Sequence, residues 1–165
     1  METTVDIRDA FFDRIYELAA KDENVIFMTA DADAFSLRRY KQDFPDRFIN
    51  AGVAEQNMVT VATGLSLSGK NVFIYAILSF MTMRCYEQIK FNICSMNLPI
   101  TLIGLGAGLS FEFDGPSHHG VGDIRTMKNR FSAGHPADHM NTPISAELQV
   151  DILVDFFVTP QGQGR

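Results

Sequence analysis

Residues 48–58 run Phe48-Ile-Asn-Ala-Gly-Val-Ala-Glu-Gln-Asn-Met58. A short apolar segment leads through Gly52 into the first turn of a helix, and that turn carries one carboxylate, Glu55. The segments on either side are uncharged, which leaves Glu55 poorly solvated. A buried carboxylate is costly unless it is protonated or hydrogen-bonded to a specific partner. The nature of that partner governs what the chain can do.

Outward from this stretch, strand-length apolar runs alternate with helical patterns. Residues 25–29, 48–51, 71–77 and 99–103 have the composition of strands. Thr3 and Asp6 form a capping box for a first helix that ends near Lys21, with Ile7, Phe11, Ile15 and Leu18 on one face. Further helices are predicted over residues 36–44, closed before Pro45, and over 55–68, stopped by Gly69. A long one spans 80–96, with Met83, Tyr86, Ile89, Ile93 and Met96 as its apolar face. A short helix starts near Gly122 and Asp123. Later residues suggest a strand at 131–133, a helix at 144–153 and a last strand at 154–158. Residues 1–158 then make one domain, and 159–165 (Thr-Pro-Gln-Gly-Gln-Gly-Arg) are a disordered tail.

Apolar strands alternating with helices specify an α/β three-layer sandwich, a mostly parallel sheet flanked by helices on both faces. Such sheets bind ligands beyond the carboxyl ends of their strands. Asp31, Glu55, Phe80 and the glycine-rich loop 104–122 all fall just after strands, on that one edge.

Composition narrows the function classes. A chain of 165 residues fits one domain, and its net charge of −6 argues against a nucleic-acid surface. The basic cluster Arg38-Arg39-Tyr40-Lys41 lies beside Asp43 and Asp46, as a solvated helix face does. No apolar run approaches the roughly 18 residues of a membrane span. The first residues lack a signal-peptide pattern, so a cytoplasmic location is expected. Cys85 and Cys94 fall in one apolar helical pattern and are expected to be core thiols. The segment Gly104-Leu-Gly-Ala-Gly108 lacks the third glycine and the following helix of a nicotinamide-binding turn, and there is no P-loop. His118, His119, His135 and His139 match no standard zinc spacing, so no metal site is assigned.

Two constellations remain. Asp114, His118 and His119 lie together in the loop, held by Gly115, Pro116 and Gly120. A histidine pair with an aspartate at a ligand-binding edge points to a functional role over an exposed structural one. Phe80 and Tyr75 are either core residues or a platform for a flat heteroaromatic ligand.

Three ordered motifs carry a resemblance: residues 48–58, the strand and helix over 72–90 with Arg84-Cys-Tyr-Glu-Gln-Ile, and Asp114-Gly-Pro-Ser-His-His-Gly-Val-Gly-Asp-Ile. Over roughly residues 5–140 the chain resembles the pyrimidine-binding domain of transketolase, a thiamine-diphosphate-binding fold. It is similar, less closely, to deoxyxylulose phosphate synthase and to the β subunits of 2-oxoacid dehydrogenases. The resemblance implies that Glu55 hydrogen-bonds N1′ of the cofactor's aminopyrimidine and favours its 4′-imino form, whose nitrogen removes the thiazolium C2 proton. Phe80 would stack on the pyrimidine; the alignment can slide by one residue, making Met81 the alternative, and Tyr75 could assist. Asp31 matches an aspartate near the cofactor at the dimer interface. Asp114 and His118, with His119 beside them, match residues that contact substrate hydroxyls, His118 helping to stabilise the developing alkoxide or moving protons.

The chain lacks the Gly-Asp-Gly segment, with its later asparagine, that holds Mg²⁺ and diphosphate in this family. The resemblance therefore implies a split transketolase: a transferase component that works only with a diphosphate-binding partner subunit, two copies of each, the Mg²⁺ residing on the partner. It would transfer a two-carbon ketol unit from a ketose, usually phosphorylated, to an aldose. Two alternatives stay open: a non-catalytic assembly or regulatory module, and a β-type component of a 2-oxoacid-processing thiamine enzyme.

Overall fold

A computed structural model describes residues 7–132 and 153–154. Among these residues five parallel strands form one sheet in the order β2-β1-β3-β4-β5. They are β1 (Val25–Thr29), β2 (Phe48–Asn50), β3 (Asn71–Ile77), β4 (Ile100–Leu105) and β5 (Leu153–Val154). The helices are α1 (Ile7–Lys21), α2 (Leu37–Asp43), α3 (Glu55–Leu67), a composite helix beginning at Phe80, and α5 (Asp123–Ser132). The register is direct, with Phe27 opposite both Phe48 and Phe73, and Tyr75 opposite Ile103.

Successive strand residues point to opposite faces, and both faces are covered. Even-numbered positions Ile26, Met28, Val72, Ile74 and Ala76 pack with Met58, Met81, Cys85, Ile89 and Ile93. Odd-numbered positions Val25, Phe27, Phe73 and Tyr75 pack with Phe12, Ile15, Leu37 and Tyr40. This is the expected three-layer sandwich. No helix among the described residues is long and apolar enough to cross a membrane.

Helix faces depart from expectation. On α1 the buried positions are Phe12, Ile15 and Ala19, while Ile7 and Leu18 are exposed. The two stripes are adjacent on one helix, and the deciding contact is tertiary: Phe12 meets Tyr75 edge-on at 5.0 Å and Phe27 at 5.6 Å.

The composite helix joins a π stretch (Phe80–Arg84), a single α turn, α4 (Tyr86–Gln88), and a second π stretch (Ile89–Cys94). It buries Met81, Cys85, Ile89 and Ile93, whereas Met83 and Met96 are exposed. These buried residues are spaced by four. In an α-helix such a stripe drifts by about 40° per step. The wider π turns cancel the drift, as the backbone bonds from Ser95 to Lys90 and from Leu98 to Ile93 show. Cys85 is buried and Cys94 half-buried, both as thiols.

Further corrections concern the later chain. Phe131 and Ser132 close α5 instead of forming a strand, and Leu153 is a strand residue, paired with Ile103. Tyr40, grouped by sequence with a solvated basic face, is 1% exposed and donates to the Val25 carbonyl at 3.2 Å. The capping box at Thr3 and Asp6, most of the 144–153 helix, residues 155–158 and the 159–165 tail lie outside the described residues, as do His135 and His139.

Two predictions follow from this packing. A Cβ added at Gly104 would lie 2.3 Å from Leu78 Cδ1, in a fully buried spot, whereas one at exposed Gly64 on α3 meets nothing within 4 Å. Gly104→Ala is expected to cost about 1–3 kcal/mol and Gly64→Ala to add about 0.5–1 kcal/mol, both read by urea denaturation. Burial pushes the Tyr40 phenol from 10.0 up to about 12. The folded state then holds this proton longer than the unfolded chain does. The stabilisation is complete below pH 10 and is lost as pH rises towards 12. In denaturation measured across that range, the Tyr40→Phe variant should lose less stability than the parent.

Candidate functional site

The site is built at the carboxyl edge of the sheet, where β2, β3 and β4 end. After β2, the Asn50 side chain ties two loops together. Its Oδ1 accepts from the backbone N–H of Asp31 and of Gly52, each at 3.0 Å, and its Nδ2 donates to Asp31 Oδ1 at 3.2 Å. The Ala51 N–H donates to the Thr29 carbonyl at 2.8 Å. Gly52 has φ 67°, a left-handed conformation that suits glycine. Asp31 also has a left-handed φ, 56°, which an aspartate tolerates when its side chain bonds locally.

This double turn delivers Glu55 to the first position of α3, where it is 2% exposed. The positive end of a helix favours a carboxylate there, and Ala54 before it offers no side-chain cap. The sequence pattern suggested uncharged surroundings for Glu55. The structure instead supplies a cation from the composite helix: Arg84 Nη1 donates to Glu55 Oε2 at 2.5 Å. Among the described residues, Glu55 Oε1 has no recorded hydrogen bond.

Arg84 also lies over the Phe80 ring, its Cζ 4.1 Å from the centroid. Gln56 Nε2 donates to the Arg84 carbonyl at 3.0 Å, so α3 grips this residue at both backbone and side chain. Phe80 in turn meets the His118 ring at 4.9 Å, inclined by 68°, and Phe111 stands 6.1 Å from His118. Glu55, Arg84, Phe80 and His118 thus form a continuous row along the edge.

The loop carrying His118 is pinned back over the sheet. Ser79 Oγ donates to the Ser117 carbonyl at 2.7 Å, and Gly108 and Gly120 bridge through two backbone bonds. Gly106, at φ 81°, admits the Phe111 ring, which a Cβ there would strike at 2.1 Å. Ser117 Oγ lies 3.1 Å from His118 Nδ1. Asp114 is exposed at the end of a 3₁₀ turn, and His119 Nε2 sits 3.5 Å from the Glu112 carbonyl.

The residues picked from sequence therefore separate. Glu55, Phe80 and His118 come together, and Asp114 and His119 share the His118 loop. Met81 is 1% exposed within the core, so Phe80 is the residue that faces the site. Tyr75 is buried on the opposite face of the sheet, against Phe12, which removes it from the platform. Asp31 is engaged by Asn50 in shaping the turn. Arg84 and Asn50 lie in motifs quoted from the sequence but are assigned no role there, and Ser79 is not singled out; only Arg84 has a local signal, its spacing of four from Phe80. Among the described residues no group of three or more metal-ligating side chains occurs.

A parallel three-layer sheet with a buried acid and a half-buried aromatic ring at its carboxyl edge places these groups where sheets of this kind bind ligands. The chain belongs to the transketolase pyrimidine-binding domain family, whose model matches residues 3–146. It is 33% identical, over 124 residues, to a 6-deoxy-6-sulfo-D-fructose transketolase subunit of Clostridium sp. (strain MSTE9), covering 74% of this chain and 38% of that protein. It is 39% identical, over 115 residues, to 1-deoxy-D-xylulose-5-phosphate synthase of Clostridium perfringens (strain SM101), covering 69% of this chain and 18% of that one. A solved split-gene transketolase, described as an inactive β4 tetramer, superposes with a TM-score of 0.62 at 30% identity, covering 73% of this chain and 38% of that one. The chain thus spans less than half the length of these relatives.

Asn50→Ala deletes the amide that joins the Asp31 and Gly52 turns. With the pair exposed, a loss of about 1–2 kcal/mol is expected in chemical denaturation. Asn50→Asp keeps the acceptor for both backbone N–H groups but sets a second carboxylate against Asp31 Oδ1, so at neutral pH it should not recover the loss.

Proposed function

We propose that the chain is the pyrimidine-domain component of a split thiamine-diphosphate-dependent transketolase. It transfers a two-carbon ketol unit from a ketose to an aldose, together with a diphosphate-binding partner subunit. One observation carries this reading. Glu55 is 2% exposed, and its Oε1 has no recorded hydrogen bond among the described residues, beside an aromatic ring at the ligand-binding edge. A buried acid with an open oxygen fits the ring nitrogen of an aminopyrimidine. Phe80, half-buried, fits its face.

In this role Glu55 holds or moves the proton at the pyrimidine N1′, inside a pocket of low dielectric where one hydrogen bond has a large effect. Phe80 orients the ring by stacking. His118, steadied by Phe80 and Ser117, moves protons at the substrate oxygens. Asp114, exposed, and His119, half-buried on the same loop, bind sugar hydroxyls. When bound, thiamine diphosphate supplies the nucleophilic carbon that attacks the ketose carbonyl.

In this reading the diphosphate and Mg²⁺ are held by a partner subunit that carries the Gly-Asp-Gly segment. Two copies of each subunit would close two sites. The split relatives support a separate partner, and the solved relative's description as an inactive β4 tetramer agrees with dependence on it. In this reading residues 1–158 form one domain, and a cytoplasmic location suits sugar-phosphate substrates.

The test mixes the chain with a partner that carries the missing Gly-Asp-Gly and asparagine residues, adding thiamine diphosphate and Mg²⁺. Ketol transfer is expected from the mixture only, and Glu55→Gln should lower kcat by at least about 10²-fold while leaving the melting temperature near that of the parent. Turnover by the chain alone would sink the split-subunit reading, and full activity in the Gln variant would sink the role of Glu55. A complex that forms but never turns over sugars would favour the non-catalytic module. Turnover of 2-oxoacids in its place would move the chain to the 2-oxoacid class.

A further inference from the structure

Arg84 has no assigned part in the chemistry above, yet it touches two of that site's residues. Its guanidinium donates to Glu55 Oε2 at 2.5 Å and covers the Phe80 ring at 4.1 Å. Its backbone carbonyl is held by Gln56, the neighbour of Glu55, at 3.0 Å. Its side chain is 40% exposed, while that of Glu55 is 2% exposed. The arginine therefore reaches inward from the surface to a buried acid.

Two physical consequences follow. A carboxylate offers about four lone-pair sites over its two oxygens. With Oε2 engaged by a planar, rigid donor, the carboxyl plane is set and Oε1 is left as the oxygen presented to a ligand. The aromatic ring is likewise fixed, because a guanidinium stacked on one face and an imidazole at 4.9 Å leave it little freedom to rotate. A pre-set pair of groups spends less ordering entropy when a ligand arrives.

We propose that Arg84 is a positioning residue for the cofactor half-site. It holds Glu55 by one oxygen and Phe80 by one face, so that the second oxygen and the remaining ring surface receive the pyrimidine. This inference rests on the function proposed above. The guanidinium stays in place when the ring binds, and lysine is a poor substitute, since an ammonium cannot bridge a carboxylate and an aromatic face as a planar fork does.

The experiment uses the chain assembled with its partner subunit, with thiamine diphosphate binding followed by calorimetry in the presence of Mg²⁺ and kcat measured in parallel. Arg84→Met is expected to weaken cofactor binding by about 10–100-fold, the value of one lost hydrogen bond to a charged group. Arg84→Lys should recover part of that loss. If the Met variant does not fold on melting analysis, Arg84→Gln replaces it, keeping one planar donor without the charge, and the same weakening is expected. Unchanged or tighter binding in the Met or Gln variant overturns the proposal, because it would show that Arg84 merely occupies the space the ring takes. Glu55→Gln is run alongside to separate the two ideas. If it binds cofactor and turns over normally, the half-site reading itself fails. If it is inactive while the Arg84 variants bind normally, only the role of Arg84 fails.

Discussion

Glu55 sets the terms for this part of the molecule, because a carboxylate 2% exposed must be paired wherever it is placed. The pairing recruits Arg84 from a different helix, which in turn brings Phe80 and His118 into one row. Each member is held from a second direction: Glu55 by the turn that Asn50 organises, Arg84 by Gln56, and the His118 loop by Ser79. A single buried charge thus ties α3, the composite helix and the 104–122 loop to one another.

The π turns belong to the same economy of placement. An α-helical path from Phe80 would rotate its buried stripe by about 40° at every fourth residue. Met81, Cys85, Ile89 and Ile93 would then leave the sheet face one after another. By widening, the helix keeps those residues down on the core while Phe80 and Arg84 stay at the edge where Glu55 lies. Departures from regular helix of this kind recur at functional sites, and here the departure has a packing cause as well.

Much of the architecture was legible in the chain itself. The runs at 25–29 and 71–77 are continuous apolar segments bounded by turn-forming residues, and they became β1 and β3 with those bounds. Helix faces were less legible. The α1 stripe through Ile7, Phe11 and Leu18 and the stripe through Phe12 and Ala19 are equally apolar, and only contact with Phe27 and Tyr75 decides between them. Tyr75 and Phe80 looked alike as aromatics near a strand end. The alternation of β3 sends Tyr75 into one layer, while Phe80, beyond the strand, turns out at the edge.

Sequence by itself determined the order of strands and helices as far as the helix at Asp123, the edge where their loops gather, and the identity of Glu55 and the His118 loop as the chemically unusual features. These are local properties, set by runs of apolar residues and by turn-forming residues beside them. Tertiary structure alone decided what surrounds Glu55. Arg84 lies 29 residues away along the chain, and Ser117 reaches Ser79 across 38. Such pairs depend on how strands lie side by side and how helices pack on the sheet, and no spacing along a single chain encodes that directly.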